Sequence, residues 1–208
     1  MPDLFSPYTL KGVTLRNRIA MSPMTMYRSR DGLMNDFHLM LLGSRAAGGV
    51  GLVFAEQLAI VANGRTSVGC GGIYEDAQIP GLARLCALIK DMGAVPAAQL
   101  GHTGRKGSEL KPWEGGAQLP ADHPDGWQVV GPSALPYGGK YQYPVQALTR
   151  EEIQAIHRSY ARAAQRALDA GFEWLELHFA HGYLGASFFS PIANQRVDEY
   201  GGSVVNRA

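Results

Sequence analysis

The sequence predicts an α/β domain on a parallel sheet, and three observations carry that reading. Residues 50–55 and 95–100 are nearly unbroken apolar runs, which suits strands buried on both faces. Helical stripes alternate with them. Polar and reactive side chains gather just after each expected strand, and in a parallel α/β fold those ends share one face, where sites are built.

In chain order, Tyr8-Thr9-Leu10 and Val13-Thr14-Leu15 flank Lys11-Gly12, a two-residue hairpin turn with glycine available for positive φ. A short strand over 18–21 ends at Ser22-Pro23. A helix is expected over 36–47, capped by Asp36 and stopped by Gly48-Gly49. The strand over 50–55 closes at Glu56-Gln57. The next helix, over 76–92, carries Ile79, Leu82, Leu85, Ile89 and Met92, spaced 3, 3, 4 and 3, as one stripe ahead of Gly93. The strand over 95–100 includes Gln99, with His102 just beyond it. Residues 101–148 are rich in Gly, Pro, Trp and Tyr; they are too long for an ordinary connection and read as a functional loop with short strands of its own. Thr149-Arg150-Glu151-Glu152 is a capping box opening a helix whose buried stripe includes Ile153, Ile156, Tyr160, Ala163 and Ala167, with Gly171 as its stop. A fourth strand over 173–179 leads into His178, His181 and Tyr183. No sequence repeat or linker divides the chain, so the whole of 1–208 reads as part of one domain.

The 208 residues carry 19 Lys+Arg against 18 Asp+Glu, which argues against a dedicated nucleic-acid binder. Two cysteines 16 residues apart, Cys70 and Cys86, make no disulfide framework and suit a reducing compartment. No signal-peptide pattern and no apolar run of membrane-spanning length is visible, so a cytoplasmic location is expected. The nucleotide-binding G-x-G-x-x-G, the phosphate loop and the G-x-S-x-G elbow are all missing. The cluster Val68-Gly69-Cys70-Gly71-Gly72 could cradle an anion, but it follows no strand and opens no helix, so it reads first as a structural turn. His178-x-x-His181 could be half of a metal site, yet no third ligand sits at a recognised offset, and no metal is expected. Gln99 could equally be a buried amide bonded to backbone, and Thr25 a turn residue after Pro23.

Five segments taken together carry a resemblance. They are Leu15-Arg16-Asn17-Arg18-Ile19, Ser22-Pro23-Met24, Gln99-Leu100 with His102-x-Gly104-Arg105-Lys106, His178-x-x-His181-Gly182-Tyr183-Leu184, and Asp198-x-Tyr200-Gly201-Gly202-Ser203-x-x-Asn206-Arg207. They resemble the Old Yellow Enzyme family of FMN-dependent ene-reductases (NADH:flavin oxidoreductases). Lys111-Pro112-Trp113-Glu114-Gly115 is similar to a stretch of its xenobiotic-reductase or thermophilic-like subgroup. The resemblance implies a (β/α)8 TIM barrel, with this chain supplying the N-terminal hairpin and about the first four β/α units. It implies FMN as cofactor, NADPH or NADH as reductant, and a small-molecule activated alkene or nitro compound as substrate, with neither nucleic acid nor membrane as partner. At full length a homo-oligomer is expected. Ser22, Pro23, Met24 and Thr25 would line the flavin, Gln57 would lie beside it, and Gln99 would bond its pyrimidine edge. His178 and His181 would hold the substrate oxygen, Tyr27 would contact the substrate, and Tyr183 would donate the proton. Two residues depart from the pattern: Thr25 stands where the subgroup usually has Cys, and Gln57 where the family prefers Ala or Gly.

Eight β/α units need about 250 residues or more, so 1–208 is expected to be the N-terminal part of a single FMN-binding barrel domain. The loop 101–148 would lie on the substrate side, and the residues for the FMN phosphate would lie outside the 208. Two rival readings are a half-barrel that binds no flavin unless complemented, and a metal-dependent barrel enzyme using the histidine pair. Four strands without closure are also expected to leave two long apolar edges.

Overall fold

The computed structural model describes Met1 and residues 3–208. β1 (Tyr8–Leu10) and β2 (Val13–Leu15) form the expected antiparallel hairpin. Lys11 and Gly12 both take positive φ, as a two-residue turn that follows strand twist requires. β3 (Ala20–Met21), β4 (Leu52–Ala59), β5 (Val95–Gly101) and β8 (Trp174–Leu177) form one parallel sheet in that order. The connections between them carry α1 (Asp36–Ala47), α2 (Ile79–Asp91) and α3 (Arg150–Asp169). Consecutive strands pair throughout, as in successive βα units.

The loop before α3 holds β6 (Val130–Gly131) and β7 (Gln146–Ala147), a two-residue parallel pair. After β8 come the short helices α4 (Leu184–Phe189) and α5 (Val204–Arg207). Among the described residues no helix is long and apolar enough to cross a membrane.

The main core lies between the sheet and its helices. Val53, Leu58, Ala98 and Leu100 pack against Leu42, Leu82, Leu85, Ile89, Ala163 and Ala167. Burial of these side chains follows from the helical stripes and is worth about 1.5–3 kcal/mol for each large one. On the other face, Leu52, Phe54 and Ala97 meet Leu15, with Val13, Val95 and Trp174 packed around them. The hairpin therefore covers the amino-terminal end of the strands and leaves their carboxyl ends for chemistry.

Five expectations need correction. Asn35, not Asp36, caps α1: its side-chain oxygen accepts from Phe37 N–H at 3.1 Å, and His38 reaches back to Asn35 N–H. The segment 76–92 opens as a 3-10 turn, Asp76–Gln78, before α2 begins at Ile79. β4 runs on to Ala59, because Gln57, Leu58 and Ala59 keep pairing with Gln99, Leu100 and Gly101; Glu56 and Gln57 thus lie inside the strand. β8 stops at Leu177, where Phe179 N–H turns back to the Leu177 carbonyl. The exposed sheet edges are short, two residues at β3 and four at β8.

Candidate active site

A β-bulge organises the site. Phe54 pairs with Ala97 and Gln57 with Gln99, so Ala55 and Glu56 together oppose Ala98. Such an insertion re-aims a side chain at a sheet end. It puts Gln57 on the same face as Gln99 and turns the Glu56 carboxylate onto the loop that follows β3. That carboxylate accepts from Met26 N–H at 2.8 Å, Gly71 N–H at 3.0 Å and the Ser29 hydroxyl at 3.2 Å. The glycine cluster is thus both a turn and an anion cradle, and the anion is the chain's own Glu56.

Gln57 lies against Gly101 on the neighbouring strand, where a Cβ would come within 2.6 Å of its Cδ. The side chain is accommodated along the sheet because position 101 has none. Gln99 donates its amide to Glu176, while its carbonyl oxygen takes no hydrogen bond from the described residues. Residues 174, 176 and 178 alternate onto one face, so Trp174, Glu176 and His178 rise from the hairpin layer to the top of the sheet.

At that top His178, His181 and Tyr183 meet. The His178 and Tyr183 rings are 4.6 Å apart between centroids, and His181 Nδ1 lies 3.2 Å from His178 Nε2. Ala180 N–H donates to His178 Nδ1 at 3.3 Å, which assigns the His178 proton to Nε2, facing His181. The same logic leaves the His181 proton on Nε2. Burial first, and then the neighbouring His181, hold the His178 pKa below the usual histidine value. His178 is therefore a neutral donor near pH 7.

Burial raises the Tyr183 pKa, offset in part by a hydrogen bond with Thr66. Tyr27 is pushed up to about 12 by burial, with smaller contributions from Cys70 and Glu109, and those two groups act on Tyr183 as well. The two tyrosines thus share one neighbourhood. Tyr27 and His181 also share a backbone peculiarity, with φ of 56° and 55°, a left-handed conformation that bulky residues seldom adopt.

Ser22, Pro23, Met24 and Thr25 form the loop after β3, which is tied to β4 through Met26 and Glu56. Met24 is half exposed, and the Thr25 hydroxyl makes no hydrogen bond to the described residues. Tyr27 stands edge-on to Trp113 at 6.1 Å, which brings the long loop against the site. His102, at the end of the third expected strand, is a structural residue: fully buried, its pKa pushed down to about 4, with Nδ1 accepting from Gly104 N–H.

Sequence reasoning gave Lys106 no role, although it lies inside one of the quoted segments. Its ammonium donates to the His181 carbonyl at 3.0 Å and lies 4.7, 5.6 and 5.6 Å from the ring centroids of Tyr137, Tyr141 and Tyr183. Thr66 and Glu109 were missed as well. Among the described residues no group of three or more His, Cys, Asp and Glu side chains is placed to hold a metal.

A parallel βα array with polar side chains at the carboxyl ends of its strands is the architecture of an α/β enzyme. Comparison with known proteins makes this specific. The model of the NADH:flavin oxidoreductase / NADH oxidase family matches residues 3–208, and the chain belongs to that family. It is 45% identical over 207 residues to an NADPH dehydrogenase of Bacillus cytotoxicus, covering 99% of this chain and 55% of that protein. It is 46% identical over 209 residues to one of Listeria innocua, covering 57% of it. Among solved structures it matches morphinone reductase in complex with tetrahydroNAD, with a TM-score of 0.87 and 34% identity over all of this chain and 57% of that one. It also matches an Old Yellow Enzyme from Pichia sp. AKU4542, with a TM-score of 0.86 and 28% identity over 99% of this chain and 53% of that one. The chain spans about half the length of the relatives it matches, and its parallel sheet is part of a TIM barrel.

Membership implies FMN with NAD(P)H as the redox pair. The residues present fit a flavin. The Thr25 hydroxyl on the loop after β3, together with the Gln99 carbonyl oxygen and the amide N–H that Glu176 leaves over, offers the donors and acceptors that a ring edge with N–H and C=O groups requires.

Proposed function

We propose that the protein to which this chain belongs takes hydride from NAD(P)H and reduces the activated C=C bond of small enones, nitroalkenes and similar electrophiles. In this reading residues 1–208 are the N-terminal part of a single FMN-binding barrel domain, with 101–148 as its long substrate-side loop. The full-length protein is a cytoplasmic homo-oligomer. Ser22, Pro23, Met24, Thr25, Gln57 and Gln99 hold the flavin, which when bound supplies the hydride.

The observation that carries this reading is the trio His178, His181 and Tyr183, with its proton positions. Hydride arriving at Cβ drives negative charge onto the carbonyl or nitro oxygen. That oxygen accepts from His178 Nε2–H in the place His181 Nδ1 holds here, and His181 Nε2–H is the second donor. Two imidazole N–H donors brought onto a developing oxyanion are worth several kcal/mol. The Lys106 ammonium, 5.6 Å from the Tyr183 ring centroid, adds a positive charge beside the proton donor. Tyr183 keeps its proton through neutral pH, because burial raises its pKa, and delivers it to the basic Cα. Tyr27 closes the substrate side.

The test is made on the flavin-loaded full-length protein. A para-substituted phenol, whose oxygen mimics the oxyanion, should bind about tenfold or more weakly after His178→Ala or His181→Ala, the loss expected for a hydrogen bond to a charged group. Tyr183→Phe should slow NADPH-driven reduction of cyclohexenone and leave phenol affinity nearly unchanged. Unaltered phenol affinity in both histidine variants would refute the oxygen-holding role.

A further inference from the structure

The glycine cluster and Glu56 form a unit that the chemistry above does not use. Glu56 is 1% exposed, yet it is ringed by donors from three segments. Met26 N–H and the Ser29 hydroxyl come from the loop after β3, Gly71 N–H from the turn, and His38 Nε2, 3.4 Å away, from α1. Asn35 N–H donates to His38 Nδ1, so the His38 proton is on Nε2 and faces the carboxylate. A Cβ at Gly71 would lie 2.9 Å from Glu56 Oε1, so only glycine lets the backbone approach so closely. A Cβ at Gly69 would lie 2.7 Å from the Tyr27 carbonyl oxygen, and Ser29 N–H donates to the Gly69 carbonyl. The turn is thus shaped around both the carboxylate and the backbone of Tyr27.

We propose that Glu56 is a positioning residue for the site: it grips the loop at Met26 and Ser29, on either side of Tyr27, and so fixes where Tyr27 meets substrate and Thr25 meets flavin. Tyr27 is held at φ 56°, a conformation that persists only when the surroundings over-determine it. Two bonds to one buried carboxylate, one before Tyr27 and one after it, supply that determination. The β-bulge at 55–56 brings the carboxylate to this point, because regular alternation would not turn it onto the loop. The assignment of Tyr27 to substrate rests on the function proposed above; the grip on the loop stands without it.

The test compares Glu56→Gln with the parent in the full-length protein, with and without flavin. The amide keeps the shape but offers one acceptor oxygen and turns an NH2 toward groups that are themselves donors. Amide exchange across 26–29 should accelerate about tenfold or more in both forms, as expected for loss of a local tether. The Kd of a para-substituted phenol should rise about fivefold or more, the loss expected for a displaced contact, with a smaller change in flavin affinity. A merely structural role would lower the unfolding midpoint and leave phenol affinity alone. Should Glu56→Gln fail to fold, Ser29→Ala decides, since it removes one tether without stranding the charge; it should move exchange and phenol affinity in the same direction. Unchanged exchange across 26–29 in the folded variant, or in Ser29→Ala where that variant decides, overturns the proposal. If the parent neither binds phenol nor reduces an activated alkene, the functional reading fails, while the exchange comparison still decides the role of Glu56.

Discussion

Gly101→Ala is a sharp probe of the face proposed to hold the flavin. The added methyl would lie 2.6 Å from Gln57 Cδ and 2.8 Å from its Cγ and Nε2. Carbon atoms settle at about 3.5–4.0 Å, so the Gln57 side chain must move by about 1 Å. Overpacking of this kind costs about 1–3 kcal/mol. Exchanging glycine for alanine within a strand returns about 0.5–1 kcal/mol, since position 101 has no positive φ to strain. The net expectation is a loss of about 1–2 kcal/mol. In a Gln57→Ala background the three atoms nearest the methyl are gone, and the same change should be neutral or stabilise by about 0.5 kcal/mol. The coupling between the two positions is therefore at least about 1 kcal/mol. Urea unfolding of the parent, both single variants and the double variant of the full-length protein measures it. Flavin titration of the apoprotein supplies a second readout. The displaced side chain crosses the face that carries Gln99, so flavin affinity should fall about tenfold in Gly101→Ala, equivalent to 1.4 kcal/mol, and recover in the double variant. Additive effects in both assays would refute the packing of Gln57 on Gly101.

Two further outcomes follow from the same structure. Asp198 is bound by Arg196 through both nitrogens of its fork, at 2.9 and 2.5 Å, and this hydrogen bonding holds its pKa down from 3.8 to about 2. A depressed carboxylate stabilises the fold above its unfolded pKa, and that stability is lost as pH falls through the folded value. Asp198→Asn should therefore cost about 1–2 kcal/mol at pH 7, allowing for screening of a group near the surface. Its deficit against the parent should shrink from pH 4 toward pH 2, and a constant deficit over that range in urea melts counts against the pairing. Thr25→Cys exchanges a hydroxyl for a weaker thiol donor. It should shift the flavin midpoint potential measurably by dye-linked titration, and an identical potential would remove Thr25 from the flavin contact.

The legible parts of the fold were those written locally. The stripe in α2, the capping box at Thr149 and the Lys11-Gly12 turn are each contained in a few residues, and all three stand in the structure. The bulge in β4 was not legible, because it exists only as a mismatch of register against β5. The cap of α1 falls on Asn35 rather than its neighbour Asp36, a choice made by where His38 reaches back. At the site, the cluster of His178, His181 and Tyr183 follows from spacing after one strand. The surroundings of Lys106 draw on Tyr137, Tyr141 and Tyr183, from two distant segments, which no local pattern announces.

The anion cradle shows how a correct local reading can miss its partner. Gly71 was recognisable as part of a loop able to bind an anion, and it does bind one, donated by Glu56 fifteen residues earlier. The internal ligand matters because it explains how strain is carried at the site. Tyr27 and His181 both hold left-handed backbone, and each is restrained from within these 208 residues. On one side a buried carboxylate grips Met26 and Ser29 around Tyr27. On the other, the Lys106 ammonium holds the His181 carbonyl, and Gly182 at φ 72° lets the chain turn against the Tyr137 ring. One loop is fixed by an anion and the other by a cation, each beyond the backbone it restrains. Of the side chains so placed, His181 meets Tyr183 at 6.3 Å between ring centroids, and Tyr183 in turn acts electrostatically on Tyr27.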